Sequence, residues 1–296
     1  MIDPAVRPVV WMLCGAFLFA TMSALTHALG TRCDWLVVAL VRAAIMFCAT
    51  GLTAWLSGVR LVVWDPPTLW MRSLAGSFSL VCNFFALTRL PVADALTLNN
   101  SYPLWIVMLA WWQLRQRPTA ADLLSVLAGT VGVILVQQPH LSSGNNLAAL
   151  VALTSSFATA VAMLGLHRLK DIDPRAVVTH FAGVASLVAL TWLCLRGGLK
   201  AVTWQPGTTT VLMLLGVGAT GTVGQVFLTK AYASGPPARV AVIGLSQVAF
   251  ALGFDVLLWS RPLTPATLLG FALVLTPAAW ILSRSARRPH AERSGQ

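Results

Sequence analysis

Apolar runs of about twenty residues follow one another along the whole chain, separated by short polar or breaker-rich connections. A helix rises ~1.5 Å per residue, so about 20 residues cross a bilayer core ~30 Å thick. That ruler predicts ten spans, near residues 9–29, 35–57, 68–88, 92–113, 121–137, 147–167, 175–195, 207–230, 238–259 and 265–284. Breakers punctuate them, including Trp64-Asp65-Pro66-Pro67, Gln137-Gln138-Pro139 and Ser234-Gly235-Pro236-Pro237. These connections are too short to hold a soluble domain. Residues 285–296, with Arg287, Arg288, Pro289, Glu292 and Arg293, read as a disordered basic tail. The first run exceeds the 7–15 apolar residues of a signal peptide, so it reads as a retained span.

Composition narrows the class. The chain of 296 residues is 57% apolar and 10% charged, with a mean hydropathy of +0.77. A soluble domain carries roughly 25% charge, and this one cannot coat its exterior with so little. The net charge of +11 could suggest nucleic acid, but no basic stripe is interleaved with aromatics. Loop placement explains the excess better. With the N-terminus in the cytoplasm, thirteen Lys and Arg fall on the inner side; five (Arg32, Arg89, Arg196, Lys200 and Arg261) fall outside. The asymmetry predicts both termini inside, in a multi-pass protein of the cell (inner) membrane. Trp35, Trp64, Trp70, Trp111, Trp112, Trp192, Trp204, Trp259 and Trp280 fall near the predicted interfaces as an aromatic belt. The five cysteines show neither metal-ligand spacing nor a disulfide framework, and no cofactor or metal is expected.

An internal repeat is legible. The stretch from Arg89-Leu-Pro-Val-Ala-Asp-Ala to Arg117-Pro118 returns 144 residues later, from Ala233-Ser-Gly-Pro-Pro-Ala-Arg to Arg261-Pro262. Phe19-Ala20-Thr21 likewise returns as Phe157-Ala158-Thr159, an offset at which Arg42 falls opposite His180. The units predicted are residues 1–137 and 147–284, with five helices each. An odd number of helices inverts the second copy relative to the first, which is a common architecture of secondary transporters.

Ten spans in two halves, each closing on a small-residue helix, an Arg-Pro turn and a further helix, resemble the EamA-like branch of the drug/metabolite transporter superfamily. The similarity is carried by Phe85-Ala-Leu-Thr-Arg-Leu-Pro-Val-Ala-Asp-Ala-Leu, by Leu228-Thr-Lys-Ala-Tyr-Ala-Ser-Gly-Pro-Pro-Ala-Arg-Val-Ala, and by Trp35 to Arg42. It implies export or exchange of a metabolite through a central cavity lined by the first, third, fourth, sixth, eighth and ninth spans. Two departures stand out. Gln116 and Ser260 occupy positions where the family usually has Glu before the turn arginine. Pro103 is present in the fourth span, whereas Gln247 stands at its equivalent in the ninth.

Polar groups in hydrocarbon are costly, so those inside the spans are candidates for function. Converted to depth, Asn99, Asn100, Ser101, Tyr102 and Pro103 lie near the midplane, as do Ser246 and Gln247, Thr154, Ser155, Ser156 and Thr159, and Thr220 and Thr222, with Gln225 nearer the cytoplasm. Asn99, Asn100, Tyr102 and Gln247 are the leading substrate contacts; the hydroxyls could equally bond to their own helices. Asn83 is a further candidate for the cavity wall. Trp105 could stack on a substrate or face lipid. Arg42, about 10 Å into the second span, is either a clamp for a carboxylate or phosphate or a snorkelling or paired arginine that locks helix packing, with Asp34, Asp94 and Asp255 on the same outer side as candidate partners. His27 lies at the outer rim and His180 near the inner end of the seventh span. No Glu occurs in any span, which disfavours a proton-coupled cation exporter and leaves a neutral, zwitterionic or anionic solute, such as an amino acid. An intramembrane enzyme and a membrane scaffold are the competing readings; neither H-E-x-x-H nor G-x-S-x-G is present. The partners expected are the bilayer and a small molecule, with a monomer sufficient and a homo-oligomer left open.

Overall fold

A computed structural model describes residues 3, 6–87, 89–90, 92–115, 117–139, 146–198, 202–203, 205 and 207–287. The chain folds as α-helices: α1 (Arg7–Leu29), α2 (Trp35–Leu56), α3 (Pro67–Leu87), α4 (Val92–Asn99), α5 (Tyr102–Leu114), α6 (Ala120–Gln137), α7 (Asn146–Arg168), α8 (Pro174–Leu195), α9 (Thr208–Ser234), α10 (Pro237–Gly244), α11 (Ser246–Trp259) and α12 (Pro265–Arg287). A 3-10 turn, Gly30–Arg32, follows α1. Gln116, Lys200, Trp204, most of the connection after Pro139, and the basic tail from Arg288 lie outside the described residues.

Among the described residues, eight helical segments are long and apolar enough to cross a membrane, with α10 and α11 counted as one. The predicted third span is present as the 21 residues of α3, which carry Arg72, Ser73, Ser77, Ser79 and Asn83. The fourth and ninth spans, expected as continuous helices over 92–113 and 238–259, are both broken at mid-length. In the fourth the cause is Pro103, which sits in the first turn of α5 and cannot donate a backbone N–H to the turn before it. In the ninth, Leu245 separates α10 from α11. There Met12 and the Tyr102 hydroxyl press so closely on Gly244 that a Cβ would meet each at 2.8 Å. The two breaks fall at matching places in the 144-residue repeat. Each broken helix also ends on a left-handed residue just before the Arg-Pro turn, Arg115 and Ser260.

Packing follows from what lipid withholds. Apolar side chains gain little by leaving hydrocarbon, so helices associate by close approach and by hydrogen bonds. α6 meets α12 through Gly132 and Gly270, where a Cβ on either residue would lie 2.7–2.8 Å from the other's carbonyl oxygen. Gly15 on α1 faces Gly224 on α9. The principal partners are α1 with α9, α3 with α7, α2 with α8, α6 with α12, α2 with α9, α1 with α11, α3 with α8 and α5 with α7. Exchanging the first six helices for the last six maps each of these pairings onto itself or onto another. The exterior is apolar, with Trp55, Leu56, Trp64, Trp112, Leu195 and Leu257 exposed, as a bilayer surface requires. The largest core cluster lies between α1, α5, α7, α9 and α10, around Met12, Phe19, Ile106, Leu166, Tyr232 and Ile243.

Candidate functional site: a polar layer at the helix breaks

The break between α4 and α5 lies against α3 and α7, and a hydroxyl network crosses all three. Ser79 on α3 lies 2.6 Å from Thr159 and 3.1 Å from Ser155 on α7, oxygen to oxygen. The Ser155 hydroxyl also reaches the Ser79 carbonyl at 2.8 Å and Asn99 Oδ1 at 3.1 Å. It has a single proton to give. When Ser79 takes that proton, Asn99 keeps an acceptor open at the end of α4. Ser101, in the break itself, meets Ser156 at 2.8 Å and donates to the Leu98 carbonyl at 2.6 Å. Asn99, Ser155, Ser156 and Thr159 are thus brought together as the sequence suggests. Ser79 joins them without having been singled out, although the Gly76-Ser77-Phe78-Ser79 run inside an apolar helix was the available signal.

The second break meets the first. Tyr102, at the start of α5, places its hydroxyl against Gly244 at the end of α10. Its phenol faces that of Tyr232 on α9, though Tyr232 Oη has no hydrogen bond of good geometry. These are the two tyrosines of the chain. Tyr232 is fully buried, and its carbonyl lies 3.1 Å from His167 Nδ1. Ser246 is buried at the start of α11 with its Oγ unpartnered among the described residues, and Gln247 beside it is half-buried.

The remaining candidates divide. Asn100 donates to the Leu96 carbonyl at 2.9 Å, and Thr222 bonds to the Gly218 carbonyl at 2.6 Å, so both serve their own helices. Gln225 is buried with Nε2 lacking an acceptor, and Asn83 Oδ1 is buried without a donor. Trp105 stands edge-on to Phe157 at 5.5 Å, half-buried in an α5–α7 contact. His27 is edge-on to Trp259 at 4.6 Å, joining the end of α1 to the end of α11. His180 is fixed by Ser73 at 2.8 Å and by the Trp70 ring. A groove of about 650 Å³ between α5 and α6, lined by Leu104, Met108, Trp111, Leu123 and Leu127, is apolar and opens outward. It belongs to the lipid face rather than to the polar layer.

Arg42 needs a correction. Asp34 caps α2 by accepting from Leu36 N, and Asp255 pairs with Arg261 at 3.1 Å. Asp94 is buried in α4, and none of the three forms an ion pair with Arg42 among the described residues. The Arg42 Nε is enclosed without an acceptor, beside Gly221 of α9. Arg72, five residues into α3, is 1% exposed and one of the largest wholly buried side chains.

Comparison with known proteins gives a consistent picture. The model of the EamA-like transporter family matches twice, over residues 6–137 and again over 143–283. The pseudopaline exporter CntI of Pseudomonas aeruginosa is 28% identical over 271 residues, covering 91% of this chain and 93% of its own. An uncharacterized transporter of Helicobacter pylori is 26% identical over 206 residues, 69% of each chain. A protein of known crystal structure superposes with a TM-score of 0.80 at 19% identity, over 95% of this chain and 98% of its own, which shows the shared fold.

Proposed function

Since the chain belongs to the EamA-like transporter family and is a multi-pass membrane protein, we propose that it is a secondary transporter of a small organic solute working by alternating access. The observation that carries this reading is the polar layer. Hydroxyls and an amide from α3, α4, the α4–α5 break and α7 gather where a helix is broken, inside a shell whose outer face is apolar. Broken helices at mid-depth are how transporters build solute sites.

The solute class proposed is a neutral, zwitterionic or anionic metabolite such as an amino acid, exported or exchanged. Export is supported by the similarity to a named exporter; the solute class rests on the amides and hydroxyls of the layer. We further propose ten spans in two inverted halves, residues 1–137 and 147–284, with both termini in the cytoplasm. The double family match, the paired helix breaks and the exchangeable packing partners support the two halves. The excess of inner Lys and Arg supports the orientation.

Reconstitution in liposomes tests the proposal. The purified protein should exchange radiolabelled amino acids or small organic acids, and Gln247→Ala should slow that exchange with the fold intact. A folded protein that moves no solute across a broad panel in either direction overturns it.

A further inference from the structure

Two cations lie within the helix bundle with no counter-ion among the described residues. The Nε and Nη1 of Arg72 and the Nε of Arg42 are buried without acceptors. The ion pairs that do form, Asp173–Arg175, Asp122–Arg239 and Asp255–Arg261, involve neither residue. Asp94 is also buried, but Ala95 beside it packs with Ala86 at the far end of α3. Along the helix axis Ala86 is roughly 20 Å from Arg72.

Room has been made for both side chains. A Cβ at Gly76 would lie 3.0 Å from Arg72 Nη1, and one at Gly165 would lie 3.0 Å from Arg72 Cβ. A Cβ at Gly221 would lie 2.9 Å from Arg42 Nε. The guanidinium of Arg72 stacks on the Phe181 ring, with Cζ 3.8 Å from the centroid. Stacking occupies the face of the group and leaves its in-plane N–H donors for another partner. Gln225, one turn along α9 from Gly221, adds a buried Nε2 with no acceptor. Phe181 also packs in one cluster with Ala43 and Met46, which stand beside Arg42 and one turn beyond it on α2, so the two arginines lie in one region of the bundle. A buried charge left unpaired is costly, and a second of the same sign beside it adds to that cost. An anion entering between them would relieve both terms.

We propose that Arg42 and Arg72 form an oxyanion subsite of the transport pathway that takes a carboxylate or phosphate group of the solute, an assignment that rests on the transporter reading above. A guanidinium holds such a group through two parallel N–H bonds. Arg42 lies about 10 Å from the Trp35 end of α2 and Arg72 about 8 Å from the Pro67 end of α3.

Thermal unfolding of the purified full chain in detergent tests the subsite, because it reads binding without transport. The probes are succinate, inorganic phosphate, the uncharged dimethyl succinate, and chloride at equal ionic strength. Succinate or phosphate should raise Tm by several degrees over chloride, and dimethyl succinate should not. A larger response to succinate assigns a carboxylate, a larger response to phosphate a phosphoryl group. Arg42→Gln should weaken the response at least tenfold in apparent affinity. Arg72→Lys, which keeps the charge but loses the planar fork, should weaken it less. A wild-type protein that distinguishes neither oxyanion from chloride, or variants that respond as wild type does, overturns the subsite. Liposome exchange reads the other premise separately. Stabilisation by succinate without movement of any solute removes the transporter reading and leaves the anion site. Exchange of neutral solutes with no response to oxyanions does the reverse.

Discussion

Ser155 donates to the carbonyl oxygen of Ser79 at 2.8 Å, so a side chain of α7 grips the backbone of α3 inside the bilayer. The same hydroxyl lies within reach of Asn99 at the helix break. Replacing it with alanine removes the one donor that the Ser79 carbonyl and Asn99 Oδ1 share, and a hydrogen-bond partner of the Ser79 hydroxyl. Ser155→Ala should destabilise the protein by about 1–3 kcal/mol, the usual cost of leaving buried polar groups unmade. The check is thermal unfolding in detergent. A Tm within a degree of wild type would show that the network is not holding α3 to α7.

Gln247 is half-buried in the first turn of α11, where the other half of the repeat has a proline. Gln247→Ala should leave Tm nearly unchanged and lower the rate of solute exchange severalfold. Unaltered exchange for every solute that the wild type moves would take Gln247 out of the site.

Gly132 and Gly270 leave no room for any side chain between α6 and α12. Gly132→Val or Gly270→Val should therefore cost about 1–3 kcal/mol or more through overpacking. Size-exclusion profiles and Tm measure it. Gly253, whose Cβ would meet open space, provides the control, and Gly253→Ala should be tolerated.

Much of this was legible beforehand, for reasons that can be given residue by residue. The spans follow from apolar length, and lipid enforces that rule more strictly than water does. The meeting of Asn99, Ser155, Ser156 and Thr159 followed from depth, since residues at one level on adjacent helices must meet if their faces turn inward. Rotation about the helix axis was not legible. Arg72 lies only five residues into α3, and nothing in the sequence around it says that Gly76 and Gly165 leave the space that holds it wholly inside. The partner of Arg42 was misjudged for a related reason. Asp34 and Asp255 were already committed, one to a helix cap and one to Arg261. Ser79 was passed over because a single serine in an apolar helix bonds to its own backbone as readily as to a neighbour.

Asp173 caps α8 by accepting from Arg175 N at 2.8 Å and pairs with the Arg175 side chain. The hydrogen bond from the Arg175 guanidinium holds its carboxyl below the usual carboxylate range. A depressed native pKa stabilises the fold above the unfolded value, near pH 4, and the benefit is lost as pH falls through the native value. Asn caps a helix as well as Asp does but carries no charge. The Tm difference between wild type and Asp173→Asn should therefore be steady from about pH 8 to 5 and shrink below about pH 4. A difference that does not change with pH would mean that the charge of Asp173 contributes nothing.

The orientation is open to labelling. In a cysteine-free background, a thiol at Arg60 should react with a membrane-impermeant reagent only from the cytoplasmic side. One at Arg196 should react only from outside. The opposite pattern would invert the topology.

The glycine contact between α6 and α12 also bears on where the protein can bend. Other contacts between the halves are looser: Phe17 on Phe250 and Trp105 on Phe157 are ring contacts that can roll over one another at little cost, and a Cβ at Gly15 would still clear the Gly224 carbonyl oxygen by 3.3 Å. At Gly132 and Gly270 backbone rests on backbone, and no side chain can rearrange to absorb a shift. Rocking of one half against the other would therefore have its fulcrum along this seam, with the travel greatest at the helices farthest from it. A disulfide across α6 and α12 should then leave turnover intact, whereas the same link between α1 and α11 should arrest it.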